Sequence, residues 1–207
     1  MNHIMIEGFM GSGKTSAGKL LSKEMNLPLI DVDKKITEKM KMTSGDIYER
    51  FGEAYYRAME TFVLVGLTEE KKRSVIILGS GLPLMPQNEK YLKQLGTVYF
   101  LKVKQATVVE RLEKSEKHSW LKTGDLAERV ARMMKEREPA YKKVADYIVK
   151  ADDMTVEEIV RGILQNEEKV EHEAEEKSDA PEAEADEKPA DAKPAEAKPA
   201  KTKKKQN

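Results

Sequence analysis

The chain has 207 residues, a length that favours one folded domain with room for an appendage. It contains no cysteine and no apolar run of about 18 residues, which excludes a disulfide framework, a thiolate metal site and a membrane-spanning helix. The 37 basic and 37 acidic residues give no net charge overall, but residues 167–207 hold 13 acidic and 9 basic residues, so residues 1–166 are mildly basic. This positive charge suits an anionic ligand and is too weak to indicate binding of nucleic acid.

The first motif along the chain is residues 8–15, Gly-Phe-Met-Gly-Ser-Gly-Lys-Thr, which matches the phosphate-binding pattern G-x-x-x-x-G-K-[ST]. An apolar strand, Ile4–Ile6, precedes it, and a helical pattern over Ser16–Met25 follows it. Backbone N–H groups of such a loop, and the N-terminus of the helix behind it, bind phosphate oxygens. The residues expected to contact a nucleotide are Gly11, Ser12, Gly13, Lys14, Thr15 and Ser16. Lys14 is expected to reach the β- and γ-phosphates, and the Thr15 hydroxyl to hold Mg²⁺.

Strand and helix patterns then alternate to residue 166, which predicts an α/β fold with a five-stranded parallel sheet and helices on both faces. The further predicted strands are Leu29–Asp31, Val75–Leu78, Val98–Leu101 and Tyr147–Val149. The further predicted helices are Asp33–Met40, Gly52–Lys71, Asn88–Leu95, Ala106–Glu113, Leu126–Tyr141 and Val156–Asn166. Ligands of such sheets bind at the carboxyl ends of the strands, so the site is expected there.

Two carboxylates, Asp31 and Asp33, stand where the second strand ends. One can approach Mg²⁺, which prefers oxygen ligands, and the other can accept a hydrogen bond from a substrate hydroxyl. An alternative for Asp33 is an N-cap of the following helix.

Three further positions are candidates for substrate contact. Arg57 stands three residues before Glu60, so the two share a helix face; they form either a surface ion pair or a guanidinium held in place to bind a carboxylate. Gly79-Ser80-Gly81 follows the third strand and lets a ligand ring approach the backbone. Arg137 is either a second cation of the same site or a solvated helix charge.

In this order and spacing, the segments resemble the shikimate kinase family over about residues 3–165. The motifs that carry the resemblance are residues 8–15, Leu-Pro-Leu-Ile-Asp-Val-Asp at 27–33, Ile-Tyr-Glu-Arg-Phe-Gly-Glu-Ala-Tyr-Tyr-Arg-Ala-Met-Glu at 47–60, and Arg-Glu-Pro-Ala-Tyr-Lys-Lys-Val-Ala-Asp at 137–146. The resemblance implies a P-loop kinase fold and ATP-dependent phosphorylation of the 3-hydroxyl of shikimate, in the route to aromatic amino acids. It further implies that Asp33, Arg57 and Arg137 hold shikimate, that Gly79 and Gly81 line the ring pocket, and that Asp31 lies near Mg²⁺.

The chain departs from the family pattern at two places. Ser80 replaces the middle one of three glycines, which is tolerable only if its backbone φ is negative. Ser119 stands where the family's lid loop carries an arginine that contacts the transferring phosphate, so Lys117, His118 or Lys122 is expected to substitute if the rate is ordinary. The lid itself is predicted at Ser115–Asp125, and Arg111, at the end of the helix before it, is a candidate for stacking on adenine.

The predicted mechanism is in-line phosphoryl transfer without a covalent enzyme intermediate. Lys14 and Mg²⁺ neutralise developing charge, and Asp33 orients the acceptor hydroxyl and takes its proton. Three alternatives stay open: a related kinase with another hydroxylated acceptor, a nucleotide-binding module with little or no catalysis, and a scaffold whose main role lies in the C-terminal tail.

Residues 167–207 are predicted to be a disordered tail behind a kinase-like domain of residues 1–166. Beyond Val170 alanine is the only aliphatic residue, and this segment holds four of the eight prolines, so it cannot bury enough apolar area to order itself. Strand one begins almost at Met1, which leaves no room for a signal peptide, and we expect a cytoplasmic monomer that binds ATP and shikimate but neither a membrane nor nucleic acid.

Overall fold

The computed structural model describes residues 2–115 and 124–178, with side chains described as far as Glu171. Five parallel strands form one sheet, as predicted, and the structure shows that their order is β2-β3-β1-β4-β5. The strands are β1 His3–Gly8, β2 Leu29–Asp31, β3 Val75–Ile77, β4 Gly96–Lys102 and β5 Tyr147–Lys150.

Seven helices cover the two faces of this sheet within the described residues. They are α1 Lys14–Glu24, α2 Val32–Met40, α3 Ser44–Leu67, α4 Glu89–Leu95, α5 Gln105–Glu113, α6 Leu126–Val144 and α7 Val156–Ser178. Helices α1 and α7 pack together, while α6 contacts α4, β4 and a 3₁₀ turn at Leu82–Leu84; a second such turn spans Pro86–Asn88. None of the described helices is both long and apolar enough to cross a bilayer.

The central strand β1 positions the site. All six of its residues are buried, and it pairs with β3 on one side and β4 on the other. Because the strands are parallel, the chain leaves β1, β2 and β3 at the same edge of the sheet. The loop after Gly8, the carboxylates of Asp31 and Asp33, and the glycines after Ile77 are therefore brought to one edge.

Helix α3 begins earlier than the sequence pattern predicted. It starts at Ser44, where the Thr43 side chain accepts from Asp46 N and the Asp46 carboxylate accepts from Thr43 N in a reciprocal cap. Gly52, predicted as the start of the helix, instead has φ 81° and kinks it. Glycine adopts this conformation without strain, and the half of α3 that follows the kink carries Tyr56, Arg57 and Glu60.

Helix α7 extends beyond the helix end predicted at Asn166. It runs to Ser178, twelve residues past the boundary expected at residue 166. Glu167 is buried and accepts hydrogen bonds from Tyr99 Oη at 2.7 Å and Arg73 Nη2 at 2.6 Å. These contacts attach the extra helical turns to the domain; the part of the tail prediction that concerns residues 179–207 lies outside the described residues.

Candidate active site

The phosphate loop joins β1 to α1 through two glycines with left-handed backbone. Gly11 has φ 78° and Gly13, the N-cap of α1, has φ 98°. Side chains with a Cβ disfavour these angles, so glycine is needed at both positions. The loop and the N–H groups of the first turn of α1 thus have the backbone form that binds phosphate.

Lys14 is the first residue of α1, and its side chain folds back onto the loop. Its Nζ donates to the carbonyl oxygens of Gly8 at 2.7 Å and Phe9 at 3.0 Å. Thr15 and Ser16 are exposed on the first turn of α1. The predicted phosphate ligands therefore lie together at the entrance of one loop.

Arg111 lies against the same loop from the other side. It stands near the end of α5, and its Nη1 donates to the carbonyl oxygen of Gly11 at 3.0 Å. The guanidinium is thus beside the predicted nucleotide position, and its contact with adenine stays a prediction. Most of the predicted lid, including Lys117, His118, Ser119 and Lys122, lies outside the described residues.

The two aspartates after β2 have different partners. Asp31 is the N-cap of α2 and accepts from Lys34 N at 3.1 Å, while Asp33 lies in the first turn and accepts from Tyr56 Oη at 2.8 Å. The N-cap interpretation of Asp33 is therefore wrong. Strand β2 passes into α2 without a loop, so the cap falls on the last strand residue. The metal roles of Asp31 and Thr15 stay predictions.

Arg57 is held by three side chains of α3. Its Nη1 donates to Glu60 Oε2 at 2.5 Å, its Nη2 to Tyr48 Oη at 2.7 Å, and its Nη2 and Nε to Glu53 Oε1 at 3.0 and 3.2 Å. Arg57 is 7% exposed and Glu60 is 1% exposed, so the interpretation as a surface ion pair is wrong. Glu53 is the solvent-facing partner, and it is the one that a substrate carboxylate can replace.

Burial and charge act against each other in this pair. Burial works to lower the pKa of Arg57, but the charge and hydrogen bond of Glu60 raise it above its ordinary value. Burial raises the pKa of Glu60 to about 7, although the charge of Arg57 opposes the shift. Arg57 is thus a permanent cation whose buried partner titrates near neutral pH.

Gly79 and Gly81 make room for the Arg57–Glu60 pair. A Cβ at Gly79 would overlap the Glu60 carboxylate and approach Asp33 Oδ1, and a Cβ at Gly81 would overlap the Arg57 guanidinium. Neither glycine has a positive φ, so close approach is the reason for glycine here. The structure therefore brings Asp33, Arg57, Gly79 and Gly81 into one cluster.

The backbone at position 80 accommodates a serine side chain, and the Ser80 carbonyl group is hydrogen-bonded to α6. Among the described residues, the non-glycine residues with positive φ are Asn26 and Lys41. The φ of Ser80 is therefore not positive, which is the condition for a serine at this position. The Ser80 carbonyl accepts from Tyr141 Oη at 2.6 Å. Four residues earlier on α6, the Arg137 guanidinium lies 5.9 Å from the centroid of the Phe9 ring. Arg137 thus faces the phosphate loop, and its substrate contact stays a prediction.

The sequence patterns missed Glu7, the residue before the loop. Its side chain is completely buried, and neither carboxyl oxygen has a hydrogen-bond partner among the described residues. Burial raises the pKa of Glu7 to about 9, while the nearby charge of Lys14 lowers it. A single glutamate within an apolar strand was the only signal available in the sequence.

Comparisons with known proteins find a family model, curated relatives and solved structures of shikimate kinases. The family model described as shikimate kinase matches residues 10–168. The shikimate kinase of Thermodesulfovibrio yellowstonii is 34% identical over 170 residues, which cover 82% of this chain and 97% of the relative. Among solved structures, shikimate kinase from Acinetobacter baumannii in complex with shikimate matches with a TM-score of 0.77 at 28% identity, over 82% of this chain and 94% of that one. Shikimate kinase from Aquifex aeolicus matches with a TM-score of 0.70 at 33% identity, over 83% of this chain and 98% of that one.

Proposed function

Because the chain belongs to the shikimate kinase family, we propose that it transfers the γ-phosphoryl group of ATP to the 3-hydroxyl of shikimate. The product is shikimate 3-phosphate, an intermediate on the route to aromatic amino acids. Kinases of this family use ATP as the phosphoryl donor, and the loop of residues 8–15 is where the nucleotide phosphates bind.

The observation that carries the proposal is the buried Arg57–Glu60 pair beside Asp33. Shikimate has one carboxylate and several hydroxyl groups. Arg57 offers a planar, permanently charged donor for the carboxylate, and Asp33 offers an acceptor for a hydroxyl. Tyr56 occupies Asp33 Oδ1, which leaves Oδ2 for the substrate. The cluster lies at the same sheet edge as the phosphate loop, as direct transfer between the two requires.

In the proposed mechanism the protein positions both substrates and neutralises charge. Lys14 leaves the carbonyl groups of Gly8 and Phe9 and binds the β- and γ-phosphates. Arg57 exchanges Glu53 for the carboxylate of shikimate, with Glu60 holding the guanidinium in place. Asp33 orients the acceptor hydroxyl and takes its proton as the new oxygen–phosphorus bond forms.

Mg²⁺, a monomeric state and a cytoplasmic location belong to the same proposal. The Thr15 hydroxyl and the Asp31 carboxylate are oxygen donors of the kind Mg²⁺ prefers, so the residues present fit this ion. When bound, the ion screens the charge of the β- and γ-phosphates.

A coupled assay of ADP release tests the proposal. We expect Mg-ATP turnover that depends on shikimate, with much lower rates for polyols that lack a carboxylate. Turnover with a different hydroxylated acceptor, and none with shikimate, would support a related kinase. ATP binding without turnover on any acceptor would support the nucleotide-binding module.

A further inference from the structure

Glu7 is a buried carboxyl group without a partner inside the protein. It is the penultimate residue of β1 and directly precedes Gly8, where the phosphate loop begins. Its exposed fraction is zero, and both Oε1 and Oε2 lack a hydrogen bond within the described residues. Burying a polar group without a hydrogen bond costs free energy, so such groups are rare away from functional sites.

Two residues that interact with Glu7 belong to the two proposed substrate sites. One is Lys14, whose charge acts on Glu7 and whose Nζ donates to the carbonyl oxygen of Gly8. The other is Tyr141, which interacts electrostatically with the Glu7 carboxyl group and whose Oη donates to the carbonyl oxygen of Ser80. Phe100, the partner of Glu7 in β4, packs its ring on Tyr141 with centroids 5.3 Å apart.

The surroundings also determine which form of the carboxyl group is present. With the pKa of Glu7 raised to about 9 by burial, the group is a neutral carboxylic acid at physiological pH. A neutral acid carries an O–H donor, whereas a carboxylate next to phosphate groups would repel them.

Resting on the proposed kinase function, we propose that Glu7 is a further catalytic residue that donates its carboxylic O–H to a non-bridging oxygen of the γ-phosphoryl group during transfer. In that step the bond from the acceptor oxygen to phosphorus forms, and the bond from phosphorus to the β,γ-bridging oxygen breaks. The acceptor proton goes to Asp33, and Glu7 keeps its own proton. A donor aimed at charge that develops in the transition state accelerates the step without tightening ground-state binding.

Two substitutions of similar size separate the donor from the volume it fills. Glu7→Gln keeps an N–H donor without an ionisable group, and Glu7→Met removes the donor. We expect Glu7→Met to lower kcat by about ten- to hundred-fold and Glu7→Gln to keep at least about a third of kcat, with the KM for ATP and for shikimate little changed. The matched control is His3→Phe, which replaces a buried side chain with an unpaired Nδ1 at the other end of β1 and should leave kcat unchanged.

The pH profile gives a second readout. In the wild type, kcat should fall as pH rises through about 9 because the donor proton is lost, and Glu7→Gln should remove this fall. Lys14 from α1, and Arg137 and Tyr141 from α6, also face this region, but they are present in both proteins, so the difference between the two profiles reports Glu7.

A binding measurement separates this proposal from the proposed function. Tetrafluoroaluminate with Mg-ADP mimics the phosphoryl group in flight, and calorimetry measures its affinity without any turnover. Glu7→Met should weaken this complex about ten-fold while ADP alone binds as in the wild type. A wild type without shikimate-dependent turnover contradicts the proposed function. Unchanged kcat and unchanged tetrafluoroaluminate affinity in Glu7→Met, or a loss in Glu7→Gln as large as in Glu7→Met, contradicts the role of Glu7 as a neutral donor.

Discussion

Tyr56 donates its phenolic O–H to Asp33 Oδ1 across 2.8 Å, and its ring stacks on Tyr48 with centroids 4.4 Å apart. The hydrogen bond crosses from α3 to α2. It links Asp33, the carboxylate proposed to orient the acceptor hydroxyl, to the helix that carries Arg57. This contact therefore contributes to the relative position of the two groups proposed to bind the acceptor.

Removing this hydroxyl should impair catalysis more than folding. Tyr56→Phe keeps the stacked ring but leaves Asp33 without its donor, and a hydrogen bond to a charged group is worth about 1.5–3 kcal/mol, so kcat/KM for shikimate should fall about ten- to hundred-fold. Steady-state kinetics and a thermal melt measure the two effects. Tyr55→Phe, on the next residue of α3, is the matched control, because the Tyr55 hydroxyl contacts only Met40 Sδ among the described residues. Equal kcat/KM in both variants would contradict the positioning role.

Lys14→Ala should abolish shikimate-dependent ADP release. The side chain is directed at the loop carbonyls of Gly8 and Phe9 rather than into the core, so the circular-dichroism melt should be close to that of the wild type. Lys19→Ala removes an exposed lysine from the same helix and should retain activity. Near-normal turnover by folded Lys14→Ala would remove this lysine from the mechanism.

Arg57→Ala should raise the KM for shikimate by about ten- to hundred-fold, since it removes a charged hydrogen bond to the substrate carboxylate. It also leaves Glu60 buried without its cation, so Glu60 should become protonated and the melting temperature should fall. Nucleotide affinity, measured by calorimetry, should stay the same. Arg50→Ala, on the exposed surface of α3, serves as the control. A loss of nucleotide affinity with an unchanged KM for shikimate would show that the pocket is wrongly assigned.

Glu7 should also leave a mark on stability. Because burial raises its pKa from 4.5 to about 9, the folded protein binds a proton that the unfolded chain has lost between these values. The contribution of Glu7 to the free energy of unfolding is therefore complete below pH 4.5 and is lost as pH rises towards 9. At pH 7 Glu7→Gln should be more stable than the wild type by up to about 3 kcal/mol, and the difference should vanish near pH 4. Urea melts across this range measure it, and a constant difference at every pH would contradict the buried neutral carboxyl.

The part of α7 that includes Glu167 should stabilise the fold, because Glu167 is hydrogen-bonded to Tyr99 of the sheet. A chain that stops after Ser178 should melt like the full chain, whereas one that stops after Asn166 loses Glu167 and leaves Tyr99 Oη buried without its acceptor. We expect a loss of about 2–4 kcal/mol for the shorter chain. Glu168→Gln, in the full chain, controls for charge alone. Equal melting temperatures for the two truncated chains would support a domain boundary at residue 166.

The sheet was predictable because its five strands are short apolar runs that alternate with amphipathic helices. The phosphate loop was predictable because its glycines and Lys14 follow a local pattern. The start of α3 was not, since the cap formed by Thr43 and Asp46 lies in a polar stretch that resembles a loop. The strands and the phosphate loop are thus encoded by clear local patterns, whereas the start of α3 is not.

The site was less accessible to sequence reasoning, because burial is a tertiary property. Nothing around Glu7 or Glu167 in the chain indicates that one is enclosed beside the loop and the other bonded to Tyr99 on a distant strand. The proximity of Arg57 to Gly81 likewise joins residues 24 positions apart, and no local pattern contains it.

Helix α6 touches both proposed substrate sites, through Arg137 at Phe9 and through Tyr141 at Ser80. If binding at one site displaces this helix, its contact in the other site moves too, and the two binding equilibria become thermodynamically linked. The coupling is reciprocal. If bound nucleotide changes the dissociation constant of the acceptor by some factor, bound acceptor changes the dissociation constant of the nucleotide by the same factor. An inhibitor directed at either site therefore has an apparent potency that depends on the concentration of the other substrate.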